Sequence, residues 1–196
     1  MNAFKMDEFK WLNKSKITEA DGTLIMTAPP KTDFFIDPDG QISNDNAPYF
    51  YAEIEGDFVF GAKVGHAFKG VYDACTLMVM VDGTHWGKLC FELTDFGTRA
   101  IVSVVTKEFS DDANGVNVDV GVKDVRLQIA RKGNAFAFHY ALGGAPCTMQ
   151  RLFSLPADAR VRVGFVAQSP LGDGAVMEFS EVRLEFRTVE NLRAGV

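Results

Sequence analysis

From residue 49 onward, apolar and polar residues alternate with a period of two in short runs, each stopped by Gly, Asp, Asn or Pro. That period matches the two faces of a β-strand rather than the 3.6-residue turn of a helix, so the pattern confines the chain to antiparallel strands joined by tight turns. The runs are "TLIMTA" (23–28), "YFYAEI" (49–54), "DFVFGAKV" (57–64), "ACTLMVMV" (74–81), "WGKLCFEL" (86–93), "AIVSVVT" (100–106), "VRLQIA" (125–130), "AFAFHY" (135–140), "CTMQRLF" (147–153), "VRVGFVA" (161–167) and "VMEFSEVRLEF" (176–186). Between them "DGTH" (82–85), "RKGN" (131–134) and "LGGAP" (142–146) carry the turn chemistry that pairs consecutive runs as hairpins. With 196 residues, 47% of them hydrophobic and 17 of them Phe, the expectation is one all-β domain, residues 1–196, around one core.

Two segments break the pattern. Residues 27–48 hold four prolines and six Asp or Asn among Phe and Ile. This reads as a long ordered loop that packs on the rim of a sheet, because its aromatics are too large to leave in solvent. The tail after Phe186 is polar and is expected to end in a frayed terminus or a short helix.

The central hairpin sets the faces. If "DGTH" is a four-residue loop, Val81 lies opposite Trp86, Val79 opposite Lys88, Leu77 opposite Cys90 and Cys75 opposite Glu92. One face then gathers Met78, Met80, Leu89, Phe91, Leu93, Val102 and Val104, and belongs between two sheets. The other carries Trp86, Lys88, Glu92 and Ser103 among Val79, Val81, Ile101 and Val105, a mix that suits a partly covered or concave sheet better than open surface. Lys88 and Glu92 sit four residues apart on one strand, roughly 13 Å at about 3.3 Å per residue, so each needs another partner.

Composition excludes several functions. A net charge of −6, with 20 basic residues scattered along the chain, opposes a phosphate backbone and disfavours nucleic acid. No apolar run approaches a membrane span, and the first fifteen residues are charged throughout. Three cysteines without C-x-x-C spacing argue against a disulfide framework or a zinc site and for reduced thiols in a cytoplasm. Neither a metal nor a cofactor is expected; the Asp- and Asn-rich 37–46 stretch lacks the spacing of a calcium loop. "EIEGD" (53–57) imitates the acidic strand of glucanases, but Gly56 bends the chain there, and the histidines stand beside no nucleophile.

The order of "TDFF" (32–35), "DNAP" (45–48), "GDF" (56–58), Trp86-x-Lys88-x-x-x-Glu92, "SVVT" (103–106) with "SDD" (110–112), "RLQIARKGNAFAFHY" (126–140) and "VGFVAQSPLGDG" (164–174) resembles the concanavalin-like domains related to the yeast regulation-of-enolase protein. The resemblance implies a two-sheet antiparallel jelly-roll sandwich of the lectin and glucanase type. It also favours a non-catalytic module that binds a carbohydrate or similar polar metabolite on the concave sheet. The candidate ligand contacts are Asp33, Asp73, Trp86, Lys88, Glu92, Ser103, Arg126, Gln128 and His139, with the Trp86 indole stacking on a sugar face. The alternatives are a glycoside hydrolase or lyase using Glu92, and a protein-interaction regulator of a metabolic enzyme. A homodimer is left open.

Overall fold

The computed structural model describes residues 6–157 and 160–196. The first five residues, on which the reading of the N-terminus partly rests, lie outside that range. Apart from one 3-10 turn at Met6–Glu8, all regular structure among the described residues is β. The first sheet has the order β1 (Lys10–Leu12), β6 (Tyr49–Glu55), β15 (Arg160–Gln168), β8 (Ala74–Asp82), β9 (His85–Leu93), β10 (Arg99–Lys107) and β11 (Phe109–Val118). The second has the order β14 (Thr148–Ser154), β13 (Ala135–Ala141), β12 (Asp124–Lys132), β7 (Phe58–His66), β16 (Ala175–Glu185), β3 (Thr23–Ala28) and β2 (Ile17–Ala20). A two-stranded hairpin, β4 (Phe34–Ile36) with β5 (Ser43–Asp45), completes the set. Every pairing is antiparallel. This is the two-sheet jelly-roll sandwich that the resemblance implies, built from the antiparallel strands that the alternation indicates.

All eleven runs read from the alternation are strands. Between the sheets, Leu77, Val79, Leu89, Phe91, Ile101, Phe165, Phe60, Leu127, Ile129, Phe136, Phe138 and Phe179 form the main core. Leu89 and Phe91 are therefore buried where expected, but their neighbours are not those expected. The turn closes with Asp82 opposite His85, and a bulge skips Val81, so Met80 pairs with Trp86, Met78 with Lys88, Thr76 with Cys90 and Ala74 with Glu92. One extra residue in a strand inverts every side chain beyond it. Leu77 and Val79 consequently enter the core, and Met78 and Met80 move to the outer face. The next strand shifts in the same sense: Ile101 lies opposite Phe91 and Val105 opposite Gly87 on the core side, with Val104 opposite Lys88 outside.

The outer face of the first sheet has its own apolar layer, made of Phe34, Ala47, Tyr49, Tyr51, Met78, Met80, Trp86, Val104 and Val166. Residues 31–48 form its cover and contain the β4–β5 hairpin where the sequence suggested only a loop. The cover is pinned at several points. Thr32 bridges to Ser169, the Asp33 carbonyl accepts from the amides of Asn46 and Ala47, and the Ile36 amide donates to Ser110 Oγ at 2.9 Å. On the far side of the sandwich the C-terminal tail does not fray. It folds onto the second sheet, with Val189 buried against Val59 and Ala130 and Thr188 Oγ1 donating to Asp57.

Candidate functional site

The strand β9 places Trp86, Lys88, Cys90 and Glu92 on the outer face of the first sheet, and all four are buried. Their fates differ because their cover differs. Phe34 stands edge-on to the Trp86 indole, ring centroids 6.1 Å apart, and the indole is sealed. Lys88 has only Met78 and Val104 beside it on neighbouring strands, so its ammonium reaches up to the cover and across to β15. There it donates to Asp33 Oδ1 at 2.9 Å and Gln168 Oε1 at 3.0 Å. Burial alone would lower its pKa; the charge and hydrogen bond of Asp33, together with Cys90 and Glu92, raise it instead and keep the cation charged.

Glu92 has no such relief. Its cross-strand neighbours are Ala74 and Ala100, which offer no side-chain donor and leave open space above the carboxyl. No described residue donates a hydrogen bond to it. Burial pushes its pKa up to about 8, with the pull of Lys88 opposed by Asp112, Asp33 and Asp95. Asp112, opposite Val104 on β11, is exposed at the cavity edge, and its carboxyl is raised as well, chiefly by partial desolvation.

These groups share a cavity of about 350 Å³, within the range of small-molecule sites. Its floor is Lys88, Glu92, Val102 and Val104; its walls include Phe35, Asp37, Ile42 and Asn44 of the cover, Asp112, Tyr72, Gln168, Pro170 and Leu171. Tyr72 stands in the left-handed region (φ 66°), a conformation that costs energy for an aromatic residue. The bond from its amide to the Leu93 carbonyl, 2.7 Å, holds it there. The cavity therefore offers apolar walls, two partly exposed rings and convergent carboxyls.

Glu92 also makes the fold pH-sensitive. Its folded pKa of about 8 lies above the ordinary 4.5, so between those values the folded chain keeps a proton that the unfolded chain releases. Stability then falls as pH rises through this window and levels off above it. Glu92→Gln is expected to be more stable than the wild type, with a gap that widens from about pH 5 to about pH 9 in urea unfolding. A gap that stays constant or narrows would contradict the burial argued here.

Residues 11–186 match the family model described as "Protein of unknown function (DUF1349)". The chain belongs to the DUF1349 family. It is 25% identical over 178 residues to Regulation of enolase protein 1 of Saccharomyces cerevisiae, covering 90% of this chain and 89% of that protein. A solved structure of a functionally unknown protein from the same yeast superposes with a TM-score of 0.87 at 24% identity, over 95% of this chain and all of the other. The sandwich also resembles part of a Bacteroides ovatus GH43 protein from a xyloglucan locus, with TM-score 0.69, 14% identity and 96% of this chain against 38% of that one. A carbohydrate-binding module, CBM66 of Bacillus subtilis, gives 0.57 at 10% identity over 91% and 95% of the two chains. At these identities the last two likenesses concern fold alone.

Within this DUF1349 chain, the predicted contacts divide between two sides. Asp33, Lys88 and Glu92 meet at the cavity. Asp73 lies just beyond it, accepting from Ser169 Oγ at 2.6 Å and the Gly70 amide at 2.8 Å, and so anchors the loop that presents Tyr72. Trp86 is correctly placed on the face but is too deeply covered to stack on a ligand. Ser103, opposite Leu89, points between the sheets because of the register shift. Arg126, Gln128 and His139 belong to β12 and β13 and lie on the outer face of the second sheet, away from the cavity. Arg126 pairs with Glu181, Gln128 Nε2 donates to the Gly195 carbonyl at 3.3 Å, and the His139 ring meets the Leu192 carbonyl at 2.8 Å. The cavity residues absent from the candidate contacts include Tyr72, Asn44, Gln168 and Asp112; of these Asp112 and Gln168 had a signal, in the "SDD" and "VGFVAQSPLGDG" stretches.

Among the described residues no cluster of His, Cys, Asp or Glu has the arrangement of a metal site, and no helix is long and apolar enough to cross a membrane.

Proposed function

We propose that this protein is a binding module for a small polar organic molecule, of the carbohydrate class or close to it, held in the cavity beneath the 31–48 cover. The observation that carries the reading is Glu92: a buried carboxyl without a hydrogen-bond partner among the described residues, facing open space. Such a group destabilises the empty protein and is relieved when a ligand supplies the missing bond. Phe35 and Tyr72 can meet the apolar face of a sugar ring, while Glu92, Asp112 and Asn44 can bond its hydroxyls. The likeness to a carbohydrate-binding module agrees with this class at the level of fold. The free cysteines, Cys75, Cys90 and Cys147, fit a cytoplasmic setting.

A second reading is supported by the same carboxyls. A carboxyl held protonated, Glu92, beside a second carboxyl on one cavity, Asp112, is the kind of pair that general acid–base chemistry on a glycoside uses when the second is ionised. A thermal-shift screen with mono- and oligosaccharides, followed by Glu92→Gln, separates the two. A binding module is expected to lose about 1.5–3 kcal/mol of affinity in the variant. An enzyme would keep its substrate affinity and lose turnover roughly 100-fold or more. A ligand at about a hundred times its Kd should add about 2.7 kcal/mol of stability. If no sugar stabilises the protein, the small-molecule reading gives way to a protein-interaction role.

A further inference from the structure

The cavity has a charge preference of its own. Four carboxyl-bearing residues, Asp33, Asp37, Glu92 and Asp112, and one lysine line it. The lysine is already committed, because Lys88 donates to Asp33 and Gln168. Asp33 is equally engaged, accepting from Lys88 and from the Phe34 amide. Asp37 holds its turn through the Asp39 amide. What remains available to a ligand is Glu92, 7% exposed and without a donor, together with Asp112. We infer that the natural ligand carries a positively charged nitrogen, an ammonium or a similar group, seated between Glu92 and Asp112.

The inference rests on the binding reading above and narrows it. A neutral polyol could satisfy the hydrogen bonds of these carboxyls but would leave in place the opposition of Asp112 and Asp33 to ionising Glu92, which rests as a neutral acid in the empty site. An anion would increase it. A cation removes both penalties, and the surrounding Val102, Val104 and Ile42 strengthen its attraction by excluding water. The charged and titratable groups that bear on Glu92 are Lys88 on its own strand, Asp33 of the cover, Asp112 of β11 and Asp95 of the turn after β9. Three of these four are acidic. The Tyr72 hydroxyl, raised first by burial and then by Asp95, stands nearby as a neutral phenol. A bound ammonium would therefore pull the Glu92 carboxyl back toward the ordinary carboxylate range and displace its proton at neutral pH.

The test uses the full chain and three probes of one size that differ in charge: ethanolamine, ethylene glycol and glycolate. Each is titrated while NMR follows the carboxyl of Glu92, assigned by its loss in Glu92→Gln, and the side-chain signals of Tyr72 and Asn44. Ethanolamine is expected to shift all three and to lower the titration midpoint of Glu92, with the other two at least tenfold weaker. In Glu92→Gln the affinity for ethanolamine, read from Tyr72 and Asn44, should fall about tenfold or more. If ethylene glycol or glycolate binds as well as ethanolamine, the cation preference is wrong and the binding reading stands. If none of the three perturbs Tyr72, Asn44 or Glu92, both fail. Equal ethanolamine binding to Glu92→Gln and wild type would also overturn the assignment of the charged nitrogen to Glu92.

Discussion

Phe91→Ala is expected to destabilise the protein by about 3–5 kcal/mol, the cost of emptying a large aromatic site in a packed core. Phe91 is fully buried between the sheets, with Phe68 edge-on at 4.7 Å and His66 at 6.2 Å. Neither ring can fill the gap, because Phe68 is held in the left-handed region (φ 51°) and His66 is tied to the Phe91 carbonyl at 3.0 Å. Trp86→Ala should cost a similar amount, although Trp86 faces away from that core. Its indole, 1% exposed, supports Phe34 and through it the cover. For a domain of this size each loss corresponds to a fall in Tm of roughly 10 °C. Thermal unfolding of the two variants checks both statements. An unchanged Tm for Trp86→Ala would mean that residues 31–48 do not seal the outer face.

The second large effect concerns the pair beneath the cover. The Lys88 side chain is 3% exposed and that of Asp33 15%. Asp33→Asn keeps an acceptor for the Phe34 amide but removes the charge that compensates a buried ammonium. Breaking such a pair from one side costs about 3–5 kcal/mol, and the remaining bond to Gln168 should place this case at the low end. Replacing both residues, Asp33→Asn with Lys88→Met, leaves no buried charge and should recover most of the loss. Urea unfolding of the two single variants and the double variant forms a cycle that measures the coupling. Additive losses would show that the pair is solvated and that the cover is open.

How far these residues could be read from the sequence depends on what each one needed. The strands with one buried face were legible because alternation records burial directly. The strand β11, "FSDDANGVNV", was not, because an edge strand with polar residues on both sides has no alternation to record. That hid Asp112 as a neighbour of Lys88. Val81 hid more. It looks like one more strand residue, yet as a bulge it exchanged Met78 and Met80 for Leu77 and Val79 and turned Ser103 inward. Leu89 and Phe91 survived the error because they are apolar in a strand whose other face is not.

The cover explains the remaining differences. Whether Trp86 is a platform or a buried support is decided by Phe34, more than fifty residues away in the chain, through contacts that no local pattern encodes. Arg126, Gln128 and His139 do alternate as a polar face should. Alternation gives the face of a strand but not the sheet to which the strand belongs, and theirs is covered by the C-terminal tail. Asp33, Lys88 and Glu92 came together because two of them share a strand and the third sits beside aromatics that had to pack somewhere on the same face.

Ligand binding in the cavity requires Glu92 to be a buried carboxyl that awaits a partner. Its titration can be followed directly by carbon NMR of the wild-type protein with labelled glutamate carboxyls, using Glu92→Gln for assignment. The expected midpoint in the empty protein is about 8, raised by burial and by the acids around it. A midpoint near the ordinary 4.5 would show a carboxylate that water or a protein donor already satisfies, leaving the cavity with no unmet bond for a ligand to supply.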